Sequence, residues 1–115
     1  MKKVYVCGSF RFISEIENVE RLLNENSIEH HVSKTMNNRG ILGCLKKIDE
    51  ADVVYVVDPE GYVGKSVSVD IGYAYAKEKP VYVMRLIVDP PLRSLISGIL
   101  SPKELIDLLE RDSRV

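Results

Sequence analysis

Apolar and polar positions along this chain alternate between two periods, and the switches between them mark out strands and helices. Val4 to Cys7 is a short continuous apolar run, the form of a buried strand. Ser14 and Glu17 have capping-box spacing, and Ile16, Val19, Leu22 and Leu23 share one helical face, so a helix is expected up to Asn24-Glu25-Asn26. Ile28 to Val32 reads as a second short strand. The polar stretch Ser33 to Gly40 reads as a loop, after which Ile41, Leu45 and Ile48 repeat at helical spacing up to Glu50. Ala51 to Val57 (ADVVYVV) is almost unbroken β-branched sequence, as in a parallel strand buried on both faces. A loop punctuated by glycines starts at Asp58 and leads into a helix that runs to Glu78. Pro80 opens a fourth strand, Val81 to Val88, ended by Asp89-Pro90-Pro91. Leu92 to Leu100 has no clear period. Ser101-Pro102-Lys103-Glu104 then starts a last helix, with proline at its first position and glutamate at its third, ending near Arg111.

This β-α alternation predicts an α/β fold: a flavodoxin-like, doubly wound sheet of about five parallel strands with helices on both faces. Strands one and three should be central, with the ligand crevice at their C-terminal ends. With 115 residues, the chain is expected to form a single domain over 1–115. No repeat, linker or low-complexity tract divides it.

Charge narrows the choice of ligand. The formal net charge is -1, with acidic and basic residues interleaved, so there is no basic stripe to follow a nucleic acid polymer. A small anion with one phosphate is easier to accommodate. The two cysteines, Cys7 and Cys44, have neither the spacing of a zinc site nor the number of a disulfide framework, which points to a reducing, cytoplasmic compartment. His30 and His31 are adjacent on a strand and point to opposite faces, so they do not chelate a metal together. No metal and no cofactor is expected. The opening MKKVYVCGSF fits a first strand and not a signal peptide, and no segment is suited to cross a membrane.

The chemistry concentrates between Asp58 and Tyr75, DPEGYVGKSVSVDIGYAY, where a strand passes through a loop into a helix. Gly61 and Gly64 permit close backbone approach, Ser66 is placed to cap the helix, and the free N–H groups of that helix point back at the loop. Asp58, Gly64, Lys65 and Ser66 are therefore candidate ligand-binding residues. Asp70 falls within about the first turn of the helix, where the dipole would keep a carboxylate ionised; the same placement also fits ordinary dipole complementation. Across the expected crevice, Gly8, Ser9 and Arg11 offer close approach, a hydroxyl and a guanidinium fork.

Two related phosphate chemistries do not fit. GYVGKS ends as a P-loop ends, yet only two residues separate Gly61 from Gly64 where a P-loop has four. Asp58 ends strand three as the acceptor of a phosphorylated receiver would, but Gly8-Ser9-Phe10-Arg11 follows strand one where a magnesium site needs acids.

VYVCGSFRF at Val4 to Phe12, ADVV at Ala51 to Val54, and VGKSVSVDIGYAYAKEKPVYV at Val63 to Val83 resemble the nucleoside 2-deoxyribosyltransferase family, most closely its 2'-deoxynucleoside 5'-phosphate N-hydrolase branch. The resemblance implies a flavodoxin-like homodimer or higher oligomer that cleaves or transfers the N-glycosidic bond of a deoxyribonucleoside or its 5'-monophosphate without a metal. It further implies that Asp70 is the nucleophile and that Tyr5 lies beside it. Gly8, Ser9 and Arg11 would line the sugar-phosphate site, and Gly64 to Ser66 would contact phosphate. Ser94, in RSLISG, would reach phosphate from the neighbouring subunit.

Two positions depart from the family pattern. Asp70 stands where the family has glutamate, shortening the reach by one C–C bond, roughly 1.5 Å. Cys44 stands where an acidic residue of the active site is usual, and its helical face makes it read as a small core residue. The other reading of the chain is therefore a non-catalytic nucleotide-binding or sensing module of the same fold.

Overall fold

The computed structural model describes residues 2–33 and 38–113. Its core is one sheet of five parallel strands in the order β2-β1-β3-β4-β5. The strands are β1 (Val4–Gly8), β2 (His30–Val32), β3 (Val53–Val57), β4 (Val81–Val83) and β5 (Gly98–Ile99). The helices are α1 (Ile13–Glu25), α2 (Asn38–Glu50), α3 (Lys65–Ala76), the single turn α4 (Pro90–Arg93) and α5 (Pro102–Ser113). This is the flavodoxin-like doubly wound arrangement the alternation predicted.

Side-chain alternation along the strands builds two cores. Val4 and Val6 of β1, with Val53, Tyr55 and Val57 of β3, face Ile16, Val19 and Leu23 of α1 and Leu105, Ile106 and Leu109 of α5. Tyr5, Cys7, Val54 and Val56 point the other way, onto Ile48 of α2 and Val67, Ile71 and Ala74 of α3. All five residues of β3 are buried, as expected for the middle strand of a parallel sheet covered on both faces. The register pairs Val4 with Val53 and Gly8 with Val57, so β1 and β3 end level with one another. An added Cβ on Gly8 would lie 2.8 Å from the Val57 carbonyl oxygen, so a glycine is needed there for strand packing.

Several local expectations shift. The Ser14–Glu17 capping box does not form, because Phe10–Phe12 makes a 3-10 turn capped by Ser9, whose Oγ accepts from the Arg11 N–H at 3.5 Å, and α1 starts directly from it. The capping box of α5 does form: Ser101 N–H donates to Glu104 Oε1 at 2.8 Å, and Glu104 N–H to Ser101 Oγ at 3.1 Å. Of the loop expected at Ser33 to Gly40, residues 38–40 belong to α2, and 34–37 lie outside the described residues.

The fourth strand stops at Val83, five residues short of the expected Val88. Asp58 is the cause. Its Oδ1 accepts from the Met84 and Arg85 N–H groups at 2.8 and 3.1 Å, taking donors that a longer strand would give to a neighbour. The chain then folds over the loop after β3, where Val88 N–H donates to the Gly61 carbonyl at 3.0 Å. Leu92, Leu95 and Ile96, in the stretch without a clear period, pack against the α2–α3 side of this chain's own core. The large apolar side chains left exposed nearby are Leu86, Val88 and Ile99.

Candidate functional site

Strand order reverses between β1 and β3, and chains leaving adjacent strands in opposite directions open a crevice at their C-terminal ends. A cleft of about 370 Å³ lies there, lined by Cys7, Gly8, Ser9 and Phe10 on one side and by Tyr62, Gly64, Lys65, Ser66, Val67 and Asp70 on the other. Ser33, just past β2, completes the wall. The volume falls in the roughly 300–1,000 Å³ range of small-molecule sites.

One wall is the start of α3. Gly64 is the N-cap and supplies no side-chain cap, so the expected capping by Ser66 is not realised. Ser66 instead lies in the first turn and lines the cleft with Lys65. Ser68 N–H makes the first intrahelical bond, to the Gly64 carbonyl at 3.0 Å. The amides of residues 65–67 therefore precede the helical ladder, beside a cleft that Lys65, Ser66 and Val67 line. Gly64 leaves this wall open, since an added Cβ would meet only the Tyr62 hydroxyl, at 3.6 Å. Gly61 serves the loop itself: its φ is +77°, and a Cβ there would lie 2.6 Å from the Leu86 carbonyl oxygen.

Asp70 lies deep in the cleft and is only 5% exposed. It belongs to the second turn of α3, since the helix begins at Lys65, and there the dipole acts more weakly than in the first turn. The Tyr5 hydroxyl donates to Asp70 Oδ2 at 3.4 Å. Burial outweighs that bond and pushes the Asp70 carboxyl up to about 7, so the carboxylate is not held fully ionised near neutrality. Tyr5 is pushed up as well, by burial first and then by the neighbouring Cys7 and Asp70. Cys7, fully buried below the cleft, is raised by desolvation and then by Asp70, Cys44 and Asp58.

The other sequence candidates are distributed as follows. Gly8, Ser9, Gly64, Lys65 and Ser66 meet in the cleft with Asp70, above Tyr5. Arg11 does not line it: its guanidinium lies over the rings of Tyr62 at 4.8 Å and Phe12 at 5.5 Å, tying the loop after β1 to the loop after β3. Asp58 is fully buried and holds Met84 and Arg85, away from the cleft lining; burial raises its carboxyl to about 6. Ser94 is exposed in this chain and its Oγ donates to the Pro91 carbonyl at 2.8 Å.

Phe10, Ser33, Tyr62 and Val67 line the cleft but were not singled out from the sequence. Tyr62 and Phe10 bring aromatic rings to the cleft, and Phe12 packs edge-on to Tyr62 with centroids 6.4 Å apart. Ser33 fell within a stretch read only as polar loop. Its Oγ lies 3.1 Å from Cys44 Sγ, so Cys44 touches the cleft wall as well as the core. Among the described residues, no group of three or more His, Cys, Asp or Glu side chains is arranged to hold a metal ion, and no helix is long and apolar enough to cross a membrane.

Solved structures share this fold. A 2-deoxyribosyltransferase from Bacillus psychrosaccharolyticus superposes with a TM-score of 0.73 at 12% identity, covering 91% of this chain and 90% of that one. A CMP N-glycosidase from Clostridium botulinum superposes at 0.67 with 18% identity, covering 96% of this chain and 99% of the other. A putative pilus assembly-related protein from Burkholderia pseudomallei also superposes, at 0.63 and 13% identity over 96% and 88%. At such identities the likeness is one of fold. No protein-family model matches the chain, and no curated protein matches its sequence.

Proposed function

We propose that the cleft binds a 2'-deoxyribonucleoside or its 5'-monophosphate and that Asp70 cleaves or transfers its N-glycosidic bond. The observation that carries this is a buried carboxylate, hydrogen-bonded by Tyr5, deep in the cleft at the β1/β3 crossover. The ionised Asp70 attacks the anomeric carbon through an oxocarbenium-like transition state. The C–N bond breaks with its electron pair leaving on the base, which takes a proton from solvent, and a sugar ester of Asp70 forms. Water or a second base then attacks the same carbon and releases the carboxylate. In this reading the α3 amides and Lys65, which border the cleft, hold a 5'-phosphate, whose binding positions the sugar without taking part in bond cleavage. The active form is proposed to be a homodimer in which Ser94 of the second copy completes the site; a monomer by sedimentation at micromolar concentration would remove that element.

A non-catalytic nucleotide-binding or sensing module is the second reading. Two points favour it: among the described residues Asp70 is the only carboxylate lining the cleft, and Cys44, which touches the cleft wall, stands where the family resemblance implies an acidic residue of the active site. Incubation with a panel of deoxynucleosides and their monophosphates, with assay for free base alongside a binding measurement, separates the two. Base release supports the enzyme; binding without release supports the module.

A further inference from the structure

Two aromatic rings border the cleft and have no part in the proposed bond cleavage, Phe10 on the β1 side and Tyr62 on the β3 side. Tyr62 is 42% exposed, yet its position is set from several directions. The residue before it is anchored at both ends: Gly61 N–H donates to the Asp58 carbonyl at 2.8 Å, and the Gly61 carbonyl accepts from Val88 N–H at 3.0 Å. The Arg11 guanidinium covers one face of the ring at 4.8 Å, and Phe12 meets it edge-on. The hydroxyl end lies beside Gly64, 3.6 Å from where a Cβ would stand. Phe10 is held by its 3-10 turn, in which Phe12 N–H donates to the Ser9 carbonyl at 2.9 Å. Ordering an exposed side chain costs conformational entropy, and a ring held in this way offers a ligand a surface for which that cost is already met.

The polar groups of the cleft leave a base little else to meet. Among the described residues, the charged side chains lining it are Lys65 and Asp70, which the proposed reaction engages with the phosphate and the sugar. Besides the Cys7 thiol, the neutral polar groups are the hydroxyls of Ser9, Ser33, Ser66 and Tyr62. A hydroxyl turns to donate or to accept as its partner requires, so it does not tell an amino group on a base edge from a carbonyl. Among the described lining residues there is no Asn, Gln or Arg, the side chains that make two-pronged contacts with a base edge.

We propose that Tyr62, backed by Arg11 and with Phe10 on the facing wall, is the platform on which the base stacks, so that the cleft selects an aromatic base without reading which base it is. Purine and pyrimidine deoxynucleotides are then ligands alike, since every base has a π face. The proposal deepens the reading of the cleft as a nucleotide site and rests on it.

The chain has no tryptophan, so Tyr62→Trp places a single fluorophore at the platform. It is combined with Asp70→Asn, so that no ligand is consumed, and titrated with the four deoxynucleoside monophosphates and with 2-deoxyribose 5-phosphate, which lacks the base. The nucleotides should quench the tryptophan and the sugar phosphate should not. Calorimetry on Asp70→Asn protein with Tyr62 intact should give affinities for the four nucleotides within roughly tenfold of one another, purines tightest because their π face is larger. Adding Tyr62→Ala should weaken each nucleotide by roughly tenfold, leave 2-deoxyribose 5-phosphate unchanged, and be rescued by Tyr62→Phe. Adding Arg11→Ala, which frees the ring, should weaken nucleoside and monophosphate alike by roughly two- to fivefold.

A preference above roughly 100-fold for one base would overturn the proposal, since it marks groups that read a base edge. So would a Tyr62→Ala loss of the same size for 2-deoxyribose 5-phosphate as for the nucleotides, which marks a damaged fold and not a lost platform. If Tyr62→Ala does not fold, Tyr62→Leu decides on the same readout: an apolar side chain without a π face must lose nucleotide affinity, and retained affinity overturns the proposal. Nucleotides that bind no tighter than 2-deoxyribose 5-phosphate remove the platform and leave the phosphate and Asp70 assignments standing. A protein that binds none of these ligands removes the nucleotide reading itself, and the platform with it.

Discussion

The Tyr5 hydroxyl and the Asp70 carboxylate meet at 3.4 Å although 65 residues separate them in sequence. Tyr5 is on β1 and Asp70 is on α3, so their contact exists only because α3 packs on the face of the sheet to which Tyr5 points. Both groups are buried, and burial raises the proton affinity of each. The bond between them works against that effect at Asp70, because a donor to a carboxylate stabilises its ionised form.

The nucleophile assignment predicts a separation of binding from turnover. Asp70→Asn should leave monophosphate affinity nearly intact while base release falls by several orders of magnitude, measured by release of free base under single-turnover conditions. Asp70→Glu extends the reach by roughly one C–C bond, about 1.5 Å. Retained or increased release would show that the cleft tolerates the shorter residue, and a loss would show that the pocket is shaped around it.

Base release should depend on pH through the same carboxylate. Only ionised Asp70 attacks, so the rate should rise as pH increases through about 7 and level off above it. Stability should run the other way. Asp70 and Asp58 are raised to about 7 and about 6, above the ordinary carboxylate value of 3.8 in each case. The folded state therefore binds their protons more tightly, and their contribution is fully present below about pH 4 and lost as pH rises through 6 to 7. For Asp70 the difference is on the order of a few kcal/mol. Denaturant unfolding at a series of pH values should show a smaller loss of stability in Asp70→Asn than in the wild type.

Among the described residues the cation lining the cleft is Lys65, while Arg11 is engaged with Tyr62 and Phe12. A nucleoside monophosphate should therefore raise the melting temperature more than its nucleoside, and Lys65→Ala should shrink that difference more than Arg11→Ala does. Equal protection by nucleoside and monophosphate would take the phosphate out of the proposed ligand. A larger effect of Arg11→Ala would mean that Arg11 leaves Tyr62 when phosphate binds.

Gly61→Ala should destabilise the fold by roughly 2 kcal/mol or more, read as a lower denaturant midpoint. The position combines a positive φ of 77° with a Cβ that would lie 2.6 Å from a backbone carbonyl oxygen, and neither is relieved by rotating a side chain. Gly64→Ala should cost much less stability, since its nearest contact is the end of the Tyr62 side chain at 3.6 Å.

Much of this molecule was legible along the chain. The β-branched run at Ala51 to Val57 identified the fully buried middle strand, and Ile16, Val19 and Leu23 identified the inward face of α1, because period alone tells which side of an element is dry. Alternating strands and helices led to the doubly wound sheet, and the sheet placed the crevice between β1 and β3. Tertiary structure decided the rest. β4 ends at Val83 because Asp58 takes the next two amides, a bond between residues 26 and 27 positions apart that no local pattern announces. Arg11 sits on Tyr62 because packing brings two loops together, although its charge alone favoured the cleft. Asp70 in the sequence is an acidic residue near a helix start; in the fold it is enclosed beside Tyr5 and has the proton affinity of a buried acid. Periodicity is local and survives in one dimension, whereas desolvation and the pairing of distant groups depend on which surfaces the folded chain presses together.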